Sequence, residues 1–101
     1  MTVYEVLHRA ADHIEQYGWI QGSSGLGLDD GPRCALGAIA TASGEIVNCY
    51  DFEFTGGVRM EAVRALRRHI GSDDIAGWND TRGRTAADVV TALRVSAEVT
   101  P

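Results

Sequence analysis

The sequence predicts an all-α fold of four principal helices and a short connector helix, packed around a central apolar helix at about residues 33–43. Three segments repeat apolar residues with the 3.6-residue period of an amphipathic helix, and residues that favour helix ends bound them. A fourth segment is apolar on all sides, which is typical of a helix covered by its neighbours. No internal repeat or linker divides the chain, so we expect a single helical domain over residues 1–101.

The first and last helices are each predicted to begin at a capping box. Thr2 precedes Glu5 by three residues, and Thr85 precedes Asp88 in the same way. Gly18 is expected to end the first helix. The apolar faces that follow the two caps are Val3, Val6, Leu7, Ala10, Ala11, Ile14 and Tyr17 in the first helix, and Ala86, Val89, Val90, Leu93 and Ala97 in the last.

A third amphipathic helix is predicted from residue 57 or 58 to Ile70, with Gly71 ending it. Ser72 is expected to cap the short connector helix that follows, because serine is a favoured N-cap residue and two aspartates come next. Residues 79–83 are predicted to form a turn before the last helix.

The central helix is predicted from Arg33 to Ser43, where no charged residue follows Arg33. Pro32 lies close to the favoured first helical position, and Gly44 ends the segment. Two stretches are predicted as loops. The first is glycine-rich, at residues 22–32, and the second spans residues 45–57, where a hairpin is the alternative to an irregular loop with aromatic anchors.

The composition fits one small globular domain: 101 residues, 45% of them apolar, with a net charge of −5. The acidic balance argues against non-specific binding to nucleic acid, which needs a positive surface. No apolar run is long enough to span a membrane and no export signal opens the chain, so we expect a cytoplasmic protein without membrane contact. Cys34 and Cys49 are then expected to be free thiols, and one bridge between them in an exported protein is the alternative.

Cys34 is the one catalytic candidate in the sequence. A helix N-terminus lowers the pKa of a thiol, and Arg33 adds positive charge beside it. A nucleophilic cysteine also needs a general base, and no motif holds a histidine near it. We therefore favour a buried structural thiol over a thiol-dependent enzyme or a thiol-regulated binder.

Neither a metal nor a cofactor is predicted. His8 and His13 are five positions apart and point to different sides of a helix, and the two cysteines lack the close spacing of zinc ligands. The glycine-rich stretch superficially resembles a phosphate-binding loop, but no strand precedes it and the chain contains no lysine.

Four arginines mark the third helix as a candidate surface for a protein partner: Arg59, Arg64, Arg67 and Arg68. Residues 57–70 carry four arginines against one glutamate, a net charge of +3 in a chain of net −5, so the remaining residues carry −8. A solvated helix face is the plainer interpretation. Nucleic acid is the less favoured partner, because the polar residues that read bases are missing beside these arginines.

A second candidate is a binding cleft formed by Trp19, Trp78, Asn79, Asp80 and Arg84. Such a cleft requires that the polar turn at residues 78–84 face the glycine-rich loop. The alternative is that these residues only build the turn, since asparagine and aspartate readily hydrogen-bond their own backbone.

Four segments in this order resemble a family of small uncharacterised proteins, a domain of unknown function found in actinobacteria and their phages. The resemblance implies a small intracellular protein of accessory or phage-related role, and it brings no activity, substrate or catalytic residue. The segments are Gly18-Trp19-Ile20-Gln21-Gly22, Cys34-Ala35-Leu36-Gly37-Ala38-Ile39, the arginine-rich Ala62-to-Gly71 helix, and Trp78-Asn79-Asp80 leading into Gly83-Arg84-Thr85.

The function hypothesis that the sequence favours is a non-enzymatic interaction or regulatory module that binds a protein partner or associates with itself. Val95 and Val99 lie away from the inner face of the last helix and are the candidates for a dimer contact. The alternatives are a thiol-dependent enzyme or thiol-regulated binder at Cys34 and a nucleic-acid-binding accessory protein.

Overall fold

The computed structural model describes residues 2–22, 31–44 and 57–99. These ranges contain the helices α1 (Val3–Tyr17), α2 (Ala35–Ala42), α3 (Val58–Ile70), α4 (Ile75–Asn79) and α5 (Ala86–Val99) and no sheet, which confirms the all-α prediction. Most of the glycine-rich loop lies outside the described residues, and so do residues 45–56 of the loop predicted at 45–57, Cys49 among them.

The helices α1 and α5 form the most extensive helix pair of the fold, and α1 also packs against α2 and α3. His8 near the start of α1 contacts Glu98 near the end of α5, whereas Glu15 near the end of α1 contacts Arg94, so the two helices run antiparallel. The buried face of α1 consists of Val6, Leu7, Ala10, Ala11 and Ile14, and that of α5 of Val89, Ala92, Leu93, Ser96 and Ala97.

Both predicted capping boxes are present. The Thr2 hydroxyl accepts from the Glu5 N–H at 3.1 Å, and the Glu5 carboxylate accepts from the Thr2 N–H at 3.3 Å. At the start of α5 the Thr85 hydroxyl accepts from the Asp88 N–H at 3.2 Å, and the Asp88 carboxylate accepts from the Thr85 N–H at 3.0 Å. Each box satisfies two backbone donors that the helix itself leaves unpaired.

The helix α2 is mostly buried, as the apolar sequence predicts, but it begins at Ala35 rather than at Arg33. Its buried residues are Ala35, Gly37, Ala38, Ile39 and Ala40. Arg33 is extended instead and pairs with the segment after α1: its carbonyl accepts from the Ile20 N–H, and its N–H donates to the Gly18 carbonyl, each at 3.2 Å. This pairing holds Arg33 outside the helix.

The helix α3 ends at Gly71, as predicted, where the left-handed backbone with φ of 70° favours glycine. The prediction that Ser72 caps the next helix was wrong, because Asp74 is the N-cap of α4 and its carboxylate accepts from the Gly77 N–H at 2.9 Å. A side chain at position 77 would collide with that carboxylate, so this short cap depends on Gly77.

Among the described residues the longest helix, α1, has 15 residues, and no helix there combines the length and apolar character needed to cross a membrane.

Candidate functional site

The structure separates the four predicted partner-binding arginines of α3. Arg64 and Arg68 are exposed and Arg67 is half-buried, whereas Arg59 is fully buried with 0% of its surface accessible. The expectation that Arg59 forms part of a partner-binding surface is therefore wrong. Position 59 lies seven residues before Leu66, close to two full turns, so the helix directs Arg59 toward the core face.

The two exposed arginines form what we call the α3 arginine pair, Arg64 and Arg68. They are four positions apart and therefore lie on the same outer face of the helix, one turn from each other. Neither makes an ion pair or a side-chain hydrogen bond with any residue that the structure describes. Both guanidinium groups can therefore receive an anionic group from another molecule.

The predicted cleft residues divide into two groups, and the first surrounds Asn79, which is fully buried at the end of α4. Its amide oxygen accepts from Trp19 Nε1 at 2.7 Å and from the backbone N–H of Ala35 at 3.0 Å. Its amide nitrogen donates to the carbonyl of Ile20 at 3.1 Å and to Asp80 Oδ1 at 3.0 Å. We call these five residues the Asn79 clamp.

The Asn79 clamp joins the segment after α1 to the start of α2 and to α4. Gln21 donates to the carbonyls of Asn79 and Thr81, at 3.1 and 3.2 Å, and Asp80 Oδ1 also accepts from the Gly22 N–H at 2.9 Å. All four hydrogen-bonding positions of the Asn79 amide are occupied by the protein. The clamp is therefore a structural joint, and Asn79 has no remaining capacity to bind a ligand.

The second group, Trp78 and Arg84, lines a groove of about 290 Å³ that opens to solvent between the end of α3, α4 and the start of α5. The Arg84 guanidinium lies 4.2 Å from the centre of the Trp78 ring, and its Nε donates to the Trp78 carbonyl at 3.0 Å. We call this the Trp78 groove. Its walls are formed by His69, Ile70, Trp78, Arg84, Asp88, Thr91 and Ala92.

Cys34 is the N-cap of α2 and its thiol is buried, with 7% of the residue exposed. Sγ accepts from the Gly37 N–H at 3.3 Å. Desolvation by burial nevertheless raises the pKa of the Cys34 thiol, although the backbone N–H groups of Gly37 and Leu36 oppose that rise. The N–H groups at the helix N-terminus thus act in the expected direction on the pKa of the Cys34 thiol, but burial outweighs them.

The described residues contain no group of three or more His, Cys, Asp or Glu side chains arranged to hold a metal ion. Two histidines for which the sequence indicated no role have polar partners. His13 Nε2 lies 2.8 Å from the carbonyl oxygen of Gly31. His8 belongs to a network between α1 and α5.

Sequence reasoning missed this network, which is centred on Arg94 of α5. Arg94 Nη2 forms ion pairs with the carboxylates of Asp12, at 2.8 Å, and Glu15. Its Nη1 donates to His8 Nδ1 at 3.0 Å, which leaves Nε2–H of the imidazole to donate to Glu98 at 3.1 Å. The two carboxylates raise the pKa of Arg94.

The signal for the Arg94 network is present in the sequence. His8, Asp12 and Glu15 follow one another at helical spacings of four and three, and Arg94 and Glu98 are four residues apart. Recognising it would have required the knowledge that α1 and α5 are antiparallel neighbours.

Val95 and Val99 of α5 are exposed, the latter to 69%, in keeping with their predicted position away from the inner face.

Comparison with known proteins shows that residues 1–99 match a family of unknown function, DUF6197. The chain belongs to this family. Membership in DUF6197 confirms the resemblance to a family of unknown function, and it brings no activity or ligand to this chain. No curated protein and no solved structure matches the chain.

Proposed function

We propose that the chain is a non-enzymatic interaction or regulatory module that binds an acidic protein partner through the α3 arginine pair, Arg64 and Arg68. The observation that carries the proposal is the exposure of both guanidinium groups, without an ion pair to any described residue. With the buried Arg59 left out, three arginines against Glu61 give residues 57–70 a net charge of +2. A positive surface on an otherwise acidic chain attracts an acidic partner and fixes its orientation.

The chemistry of arginine favours a carboxylate-bearing partner. A guanidinium group can form two parallel hydrogen bonds with one carboxylate, which gives such a contact both strength and direction. Because Arg64 and Arg68 are one helical turn apart, their Cβ atoms lie about 6 Å from each other. Two acidic side chains one turn apart on a partner helix would match that separation.

Two further observations support a binding role over catalysis. In the Asn79 clamp, all donors and acceptors of the Asn79 amide are bonded within the protein. The Cys34 thiol is buried and its pKa is raised, which disfavours the thiolate form that a nucleophilic cysteine needs. The proposal assigns the module to the cytoplasm, in an accessory role in actinobacteria or their phages, as the sequence resemblance implies.

The test compares two double variants that change the net charge equally. Arg64→Glu/Arg68→Glu reverses the arginine pair, whereas Arg9→Glu/Arg82→Glu reverses two other exposed arginines and serves as the control. Each protein is used to capture partners from cells of the native host, with quantification by mass spectrometry. We expect a specific partner to be recovered by wild type and control, and to fall at least tenfold with the α3 variant.

Two results would contradict this proposal. Equal recovery of the partner by both double variants would exclude the α3 arginine pair as the binding surface. Loss of all recovery after nuclease treatment would show that the arginines hold nucleic acid, the alternative partner of this surface. Nucleic-acid binding would also weaken steeply with added salt, since it releases condensed counterions.

A further inference from the structure

The Trp78 groove includes the two residues that follow the α3 arginine pair in the sequence. Arg68 is followed directly by His69 and Ile70, which form one wall of the groove, and Arg84 stands on another. We propose that this groove is the second half of the same interface and accepts an acidic side chain of the partner, with its carboxylate on Arg84. This inference rests on the proposed function and names the part of the partner that the groove selects.

Arg84 is held ready to receive a carboxylate. Its guanidinium is stacked on the Trp78 ring at 4.2 Å, and Nε is bonded to the Trp78 carbonyl at 3.0 Å. The two Nη atoms form no hydrogen bond with any described residue. A guanidinium that is already fixed in position loses little conformational freedom when it binds an anion, which favours affinity.

The remaining walls suit the stem of a glutamate or aspartate side chain. Ile70, Ala92 and the Trp78 ring offer apolar surface to methylene groups, while Thr91 adds a hydroxyl. The volume of about 290 Å³ lies just below the range of ligand pockets, roughly 300–1,000 Å³. The groove therefore fits a side chain better than a cofactor.

Asp88 also lines the groove, and its carboxylate is already engaged within the protein. The carboxylate accepts from the Thr85 N–H at 3.0 Å in the capping box of α5. The Nη atoms of Arg84, in contrast, have no described partner, so Arg84 is the group of the groove that would attract a carboxylate. A basic side chain would meet like charge at Arg84, so an acidic side chain is the better match to the available guanidinium.

The experiment titrates the isotope-labelled full chain with a short capped peptide in which glutamates flank a leucine, followed by NMR. The matched control peptide replaces every glutamate by glutamine. We expect the glutamate peptide at millimolar concentration to shift the indole N–H of Trp78 and the amides of Thr91 and Ala92, and the glutamine peptide to shift none of them.

The variant Arg84→Gln should weaken the glutamate peptide about tenfold, the usual size for loss of a charge-assisted hydrogen bond. Arg82→Gln is the matched control, because Arg82 is exposed on the same turn and does not line the groove. Arg84→Lys keeps the charge without the planar fork and should bind with intermediate affinity. A single cooperative thermal transition and an unchanged far-UV circular dichroism spectrum for each variant show that the fold is retained.

Three outcomes would overturn the groove assignment: equal affinity of the Arg84→Gln and Arg82→Gln variants, shifts confined to Arg64 and Arg68, or no shift at millimolar peptide. Shifts confined to the arginine pair would leave the proposed function standing. Groove shifts that persist in Arg64→Glu/Arg68→Glu, together with unchanged partner capture by that variant, would retain the groove and exclude the arginine pair.

Discussion

Replacing the buried Asn79 by alanine should destabilise the fold more than any comparable change at the surface. The substitution removes the acceptor for the Ala35 N–H and for Trp19 Nε1, and the donor to the Ile20 carbonyl. A buried polar group left without its partner costs about 1–3 kcal/mol. Ala35 is buried, whereas Trp19 and Ile20 are half-buried and water can partly replace Asn79 there.

The expected loss for Asn79→Ala is therefore about 3 kcal/mol, one full penalty at Ala35 and smaller ones at Trp19 and Ile20. Against a total stability of roughly 5–15 kcal/mol for a small domain, this is a large share. The assay is urea unfolding followed by far-UV circular dichroism. The control is Gln21→Ala, which removes two hydrogen bonds of an exposed residue, against four of the buried Asn79, and should cost less than about 1 kcal/mol.

Asn79→Asp separates the hydrogen bonds from the size of the side chain. An aspartate keeps an acceptor for Trp19 and Ala35 but turns the donor into a second acceptor, facing the Ile20 carbonyl and the carboxylate of Asp80. Burial beside a like charge raises a carboxyl pKa, so this variant should lose stability as pH rises. A loss for Asn79→Ala no greater than that for Gln21→Ala would refute the clamp as a structural joint.

Three further predictions concern Cys34, Glu5 and Arg94. In a Cys49→Ser background, Cys34 should be alkylated only as the protein unfolds in urea, and rapid labelling of the folded protein at neutral pH would contradict its burial. Because burial raises the pKa of the Cys34 thiol, its contribution to stability should be present below the ordinary pKa of 9.0 and should be lost as pH rises further. The hydrogen bonds from Thr2 lower the pKa of Glu5. In urea unfolding, wild type should therefore be more stable than Glu5→Gln above pH 4.5, and this difference should disappear as pH falls through the lowered folded-state pKa. A difference in stability that does not depend on pH would contradict this role of Glu5. Arg94→Ala should cost about 1 kcal/mol of unfolding free energy at low salt and less at high salt, whereas Arg82→Ala should change little; equal losses would exclude a stabilising Arg94 network.

Helix ends were the part of this fold that local sequence predicted best. The capping boxes at Thr2 and Thr85 and the glycine stop at Gly71 depend on residues within one turn, so their spacing in the sequence is sufficient. The predicted start of α2 was wrong because a backbone pairing with residues distant in sequence determines where the helix begins. Arg33 follows a proline that favours a helix start, yet its backbone pairs with the segment after α1.

Charge predicted the candidate surface only in part. Four arginines on one helix indicated a positive face, but composition does not say which side of the helix each residue occupies. The periodicity does: Arg59 shares the inner direction of Leu66, and Arg64 and Arg68 point away from it. The burial of Arg59 could thus have been predicted, whereas the partners of Arg94 required the antiparallel arrangement of α1 and α5.

The different fates of Trp78 and Asn79 follow from the geometry of α4. Adjacent positions in a helix point about 100° apart, so the two side chains face different neighbours. Asn79 faces the start of α2, where its amide oxygen accepts from the Ala35 N–H. Trp78 faces α3 and α5, and its ring stacks against the Arg84 guanidinium in the groove. One short motif therefore has two separable roles. Substitution of Asn79 should change stability, and substitution of Arg84 should change binding while the fold persists.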